Sequence, residues 1–235
     1  MRYLFGLAAM LLFAIGCGGG GDDGGGTAVA DPPLVTNSAA NASSGSSNAT
    51  QAEAESPLPS VIASGKVEFR VGDGEEVFSF KPSGDSAAKF YDQSGTELCK
   101  LTFSGSRKLK VKSGGDKALF ELKAKDAKVM IKDAGGENEL FKFKLKGDDI
   151  DFYAPGDKRL YRIRSKDYGF ALEDNADNTL FRAKTKDGRV VLRDPTDKTV
   201  LYSNDLKNPL ALVFYRMDEL TPEQQAACCL FFLAR

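Results

Sequence analysis

A pair of adjacent apolar residues recurs every 20 or 21 residues from residue 77 to residue 202. Self-similarity at a fixed period is the signature of stacked supersecondary units. The repeat constrains the fold of the chain more than any other feature of the sequence. The seven pairs are Val77–Phe78, Leu98–Cys99, Leu119–Phe120, Leu140–Phe141, Leu160–Tyr161, Leu180–Phe181 and Leu201–Tyr202.

Within each repeat, apolar and polar side chains alternate with a period of two. Residues 141–146 read FKFKLK, and a second alternating run follows after a few turn residues. Such alternation indicates half-buried strands, and Asp187–Gly188 between two runs is a strong hairpin signal. Each repeat is therefore predicted to be a β-hairpin, and the units together to form one antiparallel meander of about 12 to 15 strands.

The C-terminal segment has the features of a helix. Thr221 suits the N-cap, Pro222 the first helical position, and Gln224 completes a capping box. After its first turn this helix is apolar all round and too short to span a bilayer, so it should be buried in protein.

A sheet of so many strands curls, splits or closes, and its apolar face needs a cover. We therefore predict a mainly β fold, in which antiparallel hairpin repeats close into a barrel of roughly 12 strands around the hydrophobic C-terminal α-helix 221–235. The alternatives are an open β-repeat sheet with the helix on one face, or a two-sheet sandwich.

Serial hairpins followed by an apolar C-terminal helix resemble the tubby-like superfamily, which includes tubby C-terminal domains, plant LURP-one-related proteins and phospholipid scramblases. The resemblance covers residues 62–235 and rests on architecture, because no sequence motif carries it. It implies membrane-associated, non-enzymatic roles, among them phosphoinositide binding and lipid scrambling. No position matches the Lys/Arg cluster with which tubby proteins bind phosphoinositide, so no site residue is carried over.

Residues 1–16 have the pattern of a secretory signal peptide, with a positive charge, a short apolar run and a small last residue. Gly16 before Cys17 resembles the lipobox of bacterial lipoproteins, although Ala14 stands where that family usually has Leu. The resemblance implies cleavage before Cys17 and acylation of its thiol and its new amine. The residue after Cys17 is Gly18 and not Asp, which resembles lipoproteins that are sent on to the outer membrane. The alternatives are an ordinary signal peptide cleaved nearby, or a free cysteine.

Charge separates the remaining two segments. Residues 17–60 are rich in Gly, Ser and Ala and are predicted to be a disordered tether, whereas residues 61–235 are predicted to be the folded domain. The whole chain is nearly neutral, with 32 Lys and Arg against 33 Asp and Glu. However, no Lys or Arg lies between Arg2 and Lys66, so the tether is acidic. Residues 61–216 hold 30 basic and 25 acidic residues, a net charge of +5.

The outward positions of alternate strands are basic, and the regular repeat should align them as a band across successive hairpins. Such a band could hold an anionic surface, such as lipid headgroups. The alternative is a solvated strand face whose charges prevent aggregation, with Asp151 and Glu173 as partial neutralisers. The predicted band comprises Lys123, Lys125, Lys142, Lys144, Lys146, Arg162, Arg164, Lys166, Arg182, Lys184 and Lys186.

Several chemistries find no support in the sequence. The chain has no histidine, which excludes Ser-His-Asp and Cys-His catalysis and His-ligated metals. No nucleophile with a base, carboxylate pair or phosphate loop stands out, so we predict no enzyme activity, no cofactor and no metal. Residues 174–178 have oxygen ligands at alternating positions but fit a hairpin turn better than a calcium loop. No stacking platform accompanies the basic band, which argues against nucleic acid binding.

The remaining cysteines are predicted to be internal. Cys99 occupies the inward position that Phe or Tyr fills in most other repeats, and Cys228 and Cys229 lie on the apolar helix. The sequence leaves open whether Cys99 forms a disulfide with Cys228 or Cys229.

These features together predict a lipid-anchored protein of the bacterial cell envelope, placed in the outer membrane and without enzymatic activity. Its folded domain would bind an anionic or lipidic partner at the membrane surface, or have a structural role. One alternative is a lipid-handling protein whose barrel lumen takes an acyl chain against Phe141, Phe143, Ile163 and Phe181. Another is a module that docks a second envelope protein on its basic face.

Overall fold

A computed structural model describes residues 58–235 of the chain. The predicted signal peptide 1–16, the lipidation site Cys17 and nearly all of the predicted tether lie outside the described residues. The folded part includes Leu58 and Ile62, which are 5% and 0% exposed and belong to the hydrophobic core.

Fourteen antiparallel strands form the sheet, each hydrogen-bonded to its neighbours along the chain. The helices are α1 (Ser60–Ala63), α2 (Leu210–Val213) and α3 (Pro222–Leu233), with short 3₁₀ turns at Pro155–Asp157 and Phe214–Arg216. The strands are β1 (Val67–Arg70), β2 (Glu76–Pro82), β3 (Ala87–Asp92), β4 (Glu97–Phe103), β5 (Lys108–Ser113), β6 (Ala118–Lys125), β7 (Lys128–Asp133), β8 (Glu139–Lys146), β9 (Asp149–Ala154), β10 (Lys158–Lys166), β11 (Gly169–Glu173), β12 (Thr179–Lys186), β13 (Arg189–Arg193) and β14 (Thr199–Ser203).

The sheet closes into a barrel because β14 pairs with β1. This seam is short, with Arg70 opposite Tyr202 as its register pair. A side chain from beyond β14 extends the seam, since the backbone N–H of Glu68 donates to Asp205 Oδ2 at 2.9 Å. Closure removes the free edges that an open sheet of this length would expose.

Register shifts recur once per repeat near one end of the barrel. They occur between Val111 and Lys112, between Ile131 and Lys132, and at the corresponding positions of other strand pairs. Such irregularities bend a strand and increase its local twist. Because the shifts recur with the repeat, the twist accumulates evenly around the barrel and favours closure.

Helix α3 lies inside the barrel. Thr221 Oγ1 accepts from the backbone N–H of Gln224, and Gln224 Oε1 accepts from the N–H of Thr221, so the predicted capping box is present. All seven residues from Ala226 to Phe232 are buried, which requires protein on every side of the helix. Phe231 stacks on Phe103 of β4, at 6.5 Å between ring centroids.

A second internal segment, residues 204–220, was not predicted from the sequence. Helix α2 and the following 3₁₀ turn fill the part of the barrel that α3 leaves, against β11, β12 and β13. Phe214 stacks on Phe232 of α3 at 4.9 Å and meets Phe143 of β8 edge-on at 5.8 Å. The ring centroid of Tyr215 lies 4.9 Å from that of Phe69 of β1. The filling of the barrel is therefore built from two segments.

The predicted fold class is confirmed: the protein is mainly β, with antiparallel hairpins closed into a barrel around the C-terminal helix. The strand number is 14 where roughly 12 were expected in the closed barrel. Seven repeats of two strands each account for the difference, because every repeat takes part in closure. Pairing of β1 with β14 excludes the open sheet and the sandwich for residues 58–235.

Candidate functional site

The two ends of the barrel differ in charge. At one end, which we call the basic rim, strands β6, β8, β10 and β12 each finish on a lysine, and β7 starts on one. At the opposite end, the Asp-turn rim, aspartates organise the hairpin turns. Their carboxylates accept backbone N–H groups within the turn, as Asp92, Asp133, Asp174 and Asp194 show.

The hydrogen bonds of residues 174–178 show whether this segment is built as a hairpin turn or as a calcium loop. Asp174 Oδ1 accepts the backbone N–H groups of Ala176 and Asn178 at 2.8 and 2.9 Å. The carboxylate therefore closes the turn, as expected for a hairpin. No cluster of metal-ligating side chains is present in residues 58–235.

On strands β8 to β10, the predicted basic band is paired with acids. Lys142 Nζ lies 3.0 Å from Glu139 and 2.9 Å from Asp157, and Lys144 Nζ lies 3.1 Å from the same aspartate. These two lysines therefore have local counter-ions. A surface of this kind offers little free charge to a partner.

Asp151 is the central counter-ion of this region. Its side chain points outward from β9 yet is only 1% exposed, because Lys146 and Arg162 cover it. Arg162 Nε donates to Oδ1 at 2.8 Å, Tyr153 Oη donates to Oδ2 at 3.2 Å, and Lys146 Nζ lies 2.6 Å from Oδ2. Burial raises the pKa of Asp151, but the hydrogen bonds from Arg162 and Lys146 outweigh it, so the pKa lies below its ordinary value.

Glu173 repeats this arrangement on β11. Its side chain is 5% exposed, with Arg164 Nε at 3.2 Å and Lys166 Nζ at 3.7 Å. On the next strand, Lys184 Nζ lies 3.8 Å from Asp197. The two acids that the sequence suggested as partial neutralisers are thus buried under the cations, and the band from β8 to β11 is largely neutralised.

Arg182 stands apart within the band. It lies directly opposite Arg193, whose guanidinium pairs with Asp197 at the Asp-turn rim. Lys186 lies opposite Arg189 at the basic rim. None of these four cations forms an ion pair with Asp151 or Glu173.

The cations on β5, β6 and β7 are arranged differently. Lys108 lies directly opposite Lys123, Lys125 opposite Lys128, and Lys128 opposite Lys144. Like charges directly opposite each other on a sheet are destabilising, so this row of lysines weakens the sheet locally. The row spans four strands, or about 14 Å at the usual inter-strand spacing of ~4.8 Å.

Few acids compensate this row. Lys108 Nζ pairs with Glu121 at 2.6 Å. Four exposed cations, Arg107, Lys123, Lys125 and Lys128, make no ion pair with any other residue in 58–235; we call them the free cation cluster. A shallow cleft of about 400 Å³ opens among them, lined by Ser104, Arg107, Lys108, Lys123, Ala124 and Lys125.

A second cleft, of about 420 Å³, opens at the basic rim where the internal helices reach the barrel end. Its polar lining residues are Asp148, Ser165, Asn208 and Arg235. Burial lowers the pKa of Arg235, and the nearby charge of Arg107 lowers it further. The apolar part of the wall comprises Leu145, Ile150, Phe170, Leu210 and Phe232.

Tyr168 is the exposed large hydrophobic residue of the described chain, at 42%. It lies at the tip of the turn between β10 and β11, on the basic rim. The free cation cluster, the 420 Å³ cleft and this ring therefore share one end of the barrel.

The lumen positions proposed for an acyl chain are occupied by protein contacts. Phe143 and Ile163 are 0% exposed, and Phe141 and Phe181 pack against the same core. Phe143 lies against Phe152 and Phe232 at 4.7 and 5.5 Å. Space for a ligand therefore lies at the barrel ends and not along these side chains.

The internal cysteines are free thiols, so Cys99 is not bonded to Cys228 or Cys229. Burial raises the pKa of all three, to about 12 for Cys229, where Tyr215 opposes part of the effect. High pKa values and full burial make them packing residues.

At the Asp-turn rim, Arg216 lines two clefts of about 390 and 270 Å³ near the barrel seam. Its guanidinium lies 5.5 Å from the ring centroid of Phe181, and its Nε is buried without a hydrogen-bond acceptor in the described chain. Asp73 also lines the larger cleft, so this cleft has both positive and negative side chains in its wall.

Comparisons with known proteins add little. No family model matches the chain, and no curated protein does. A protein of Arabidopsis thaliana solved by X-ray crystallography is similar to it, with 15% identity over 47% of this chain and 76% of that chain and a TM-score of 0.33. Among residues 58–235, no helix is both long and apolar enough to cross a membrane.

The sequence identified Lys123 and Lys125 but missed Arg107 and Lys128, which complete the free cation cluster. Lys128 begins its strand and Arg107 ends a turn, so neither fits the alternating pattern that defined the band. Registers such as Lys125 opposite Lys128 are the signal that brings them in, and only strand pairing supplies them.

Proposed function

We propose that this protein is a lipid-anchored component of the bacterial cell envelope, without enzymatic activity, whose barrel binds an anionic membrane surface. The lipid attachment at Cys17, the tether 17–60 and the outer-membrane location are parts of this proposal that rest on the sequence. A closed β-barrel is compatible with a lipid-binding role. The free cation cluster carries the proposal.

The cluster supports an anionic partner because its charges lack counter-ions within the described chain. Lys123 and Lys125 are exposed, whereas the neighbouring Lys142 is 13% exposed and paired with two acids. A row of like charges costs stability unless a bound anion compensates it. Anionic headgroups attract Lys and Arg near a membrane surface by about 1 kcal/mol each.

An extended, flat partner fits better than a compact one. Among the strand-end lysines of the basic rim, Lys125, Lys128 and Lys186 form no ion pair within residues 58–235, and Tyr168 projects from the same end. A surface that touches the whole rim can contact all of them at once. Tyrosine is enriched at membrane interfaces, where its ring meets the acyl boundary and its hydroxyl meets water.

The experiment is sedimentation with vesicles, using the full chain with Cys17→Ser so that lipidation does not contribute. Vesicles of phosphatidylcholine with phosphatidylglycerol are compared with phosphatidylcholine alone. The protein with an unchanged free cation cluster should bind the anionic vesicles, and added salt should weaken the binding. The triple variant Lys123→Glu, Lys125→Glu, Lys128→Glu should bind at least about 100-fold more weakly, since each lysine contributes about 1 kcal/mol.

The matched control reverses three exposed lysines at the Asp-turn rim, Lys117, Lys158 and Lys198. It changes the net charge equally and should keep most of the binding. Equal loss in both triples would mean that only net charge matters and would refute a localised surface. Absence of binding to anionic vesicles would also refute the proposal and would favour a protein partner for the cluster.

A further inference from the structure

We infer that the 420 Å³ cleft at the basic rim binds the alkyl chain of a medium-length carboxylate, with Arg235 as its counter-ion. The cleft is distinct from the free cation cluster and uses none of its lysines, so this inference goes beyond membrane attachment. Its volume falls within the range of roughly 300 to 1,000 Å³ that is usual for small-molecule sites.

The walls of the cleft suit an alkyl chain. Leu145 and Ile150 come from the neighbouring strands β8 and β9, Phe170 comes from β11, and their side chains point into the barrel end. Leu210 of α2 and Phe232 of α3 form the floor, at 9% and 6% exposure. Strands and both internal helices thus converge on one apolar surface that protein leaves partly uncovered.

The polar groups at the cleft suit a single negative charge. Arg235 forms no ion pair with another side chain in residues 58–235, and its guanidinium lies 4.8 Å from the ring centroid of Phe231. Two further donors are available: the hydroxyl of Ser165 and the side-chain NH₂ of Asn208, whose Oδ1 already accepts the N–H of Leu210 at 3.0 Å. Guanidinium and carboxylate form bidentate pairs, so a carboxylate fits this set.

Asp148 limits the negative charge that a ligand of this cleft can carry. It also lines the cleft, and its charge opposes that of any bound anion. A doubly charged phosphate monoester is repelled more strongly by this carboxylate than a singly charged carboxylate is. The expected ligand is therefore a monoanion with an alkyl tail.

The test is isothermal titration of decanoate, below the concentration at which it aggregates, into the full chain with Cys17→Ser. Decanoate should bind with one site per chain, and in the Asp148→Asn variant, where no carboxylate of the lining attracts an amine, decylamine should bind at least about tenfold more weakly because Arg235 repels it. Arg235→Gln should weaken decanoate binding about tenfold, and Asp148→Asn should strengthen it. Thermal melts establish that each variant is folded.

Filling the cleft tests its location independently of charge. Ser165→Trp adds a large side chain at an exposed lining position and should abolish decanoate binding in a folded protein. A matched Ser113→Trp at the other end of the barrel should not. Failure of decanoate to bind, or equal affinity of Asp148→Asn for decanoate and decylamine, would overturn the inference.

The outcome can be separated from that of the proposed function. The triple variant Lys123→Glu, Lys125→Glu, Lys128→Glu should keep its decanoate affinity within about twofold, since none of these residues lines the cleft. A protein that binds decanoate but no anionic vesicle would support this inference and refute membrane binding by the free cation cluster. The reverse result would do the opposite.

Discussion

Replacing Asp151 by Asn tests whether the predicted basic band is held together by its own buried acids. Asn keeps the shape of the side chain but removes the charge that faces Arg162 and Lys146. The Arg162 guanidinium, 21% exposed, would then lose the carboxylate that now accepts its Nε–H at 2.8 Å. An Asn side chain has only one oxygen, so its NH₂ group would also face one of the two donors, Arg162 or Lys146, that now contact the carboxylate oxygens.

The size of the effect follows from the exposure of the partners. A hydrogen bond between charged groups contributes about 1.5 to 3 kcal/mol, and removing one partner of a fully buried pair costs about 3 to 5 kcal/mol. Arg162 can regain part of its hydration, so we expect the free energy of unfolding to fall by about 2 kcal/mol. For a domain of this size that lowers Tm by roughly 4 to 8 °C.

The pH dependence gives an independent readout. The folded-state pKa of Asp151 lies below its ordinary value, so its contribution to stability is complete above the unfolded-state pKa of about 3.9. That contribution is lost as the pH falls through the folded-state pKa. The gap in stability between wild type and Asp151→Asn should therefore be widest at neutral pH and narrow in acid.

Urea unfolding followed by circular dichroism, at pH 7 and at acidic pH, measures both quantities. Asp167→Asn is the matched control, since Asp167 lies exposed in a turn at the basic rim and should change stability by less than about 0.5 kcal/mol. A variant at Asp151 that is as stable as wild type at pH 7 would refute the reasoning. A gap that does not change with pH would show that shape, and not charge, is what the site requires.

Two further predictions test the packing of the barrel. In the full chain with Cys17→Ser, none of the three internal thiols should react with Ellman's reagent until the protein is denatured, because they are 0% exposed and their pKa values are raised; rapid reaction of the native protein would contradict enclosure of α3. Gly169→Ala should destabilise the fold by more than Gly147→Ala, since a Cβ at Gly169 would meet the Ala183 carbonyl oxygen at 2.3 Å whereas one at Gly147 meets nothing within 4 Å. Both glycines have positive φ, so both substitutions strain the backbone, by about 1 to 2 kcal/mol at Gly147, whose φ of 63° is left-handed helical. Equal melting temperatures would contradict the close approach at Gly169.

The membrane-related predictions depend on information of two kinds. Lys123 and Lys125 were recognised from alternation, which is a local property of each strand. Their freedom from counter-ions depends on which acids the neighbouring strands bring near, as Asp151 does for Lys146 and Arg162. Alternation contains no such information, so the band looked uniform in the sequence although its two halves differ.

By itself the sequence determined the repeat, the hairpins, the capped C-terminal helix and the inward positions of residues such as Phe143. These depend on local patterns, since alternation with period two sets the faces of a strand and a capping box sets the start of a helix. Only the tertiary structure decided that 14 strands close, that residues 204–220 share the interior with α3, and that the free cation cluster makes no ion pair within residues 58–235. Those features arise from register and closure, which join residues far apart in the chain and leave no local pattern behind.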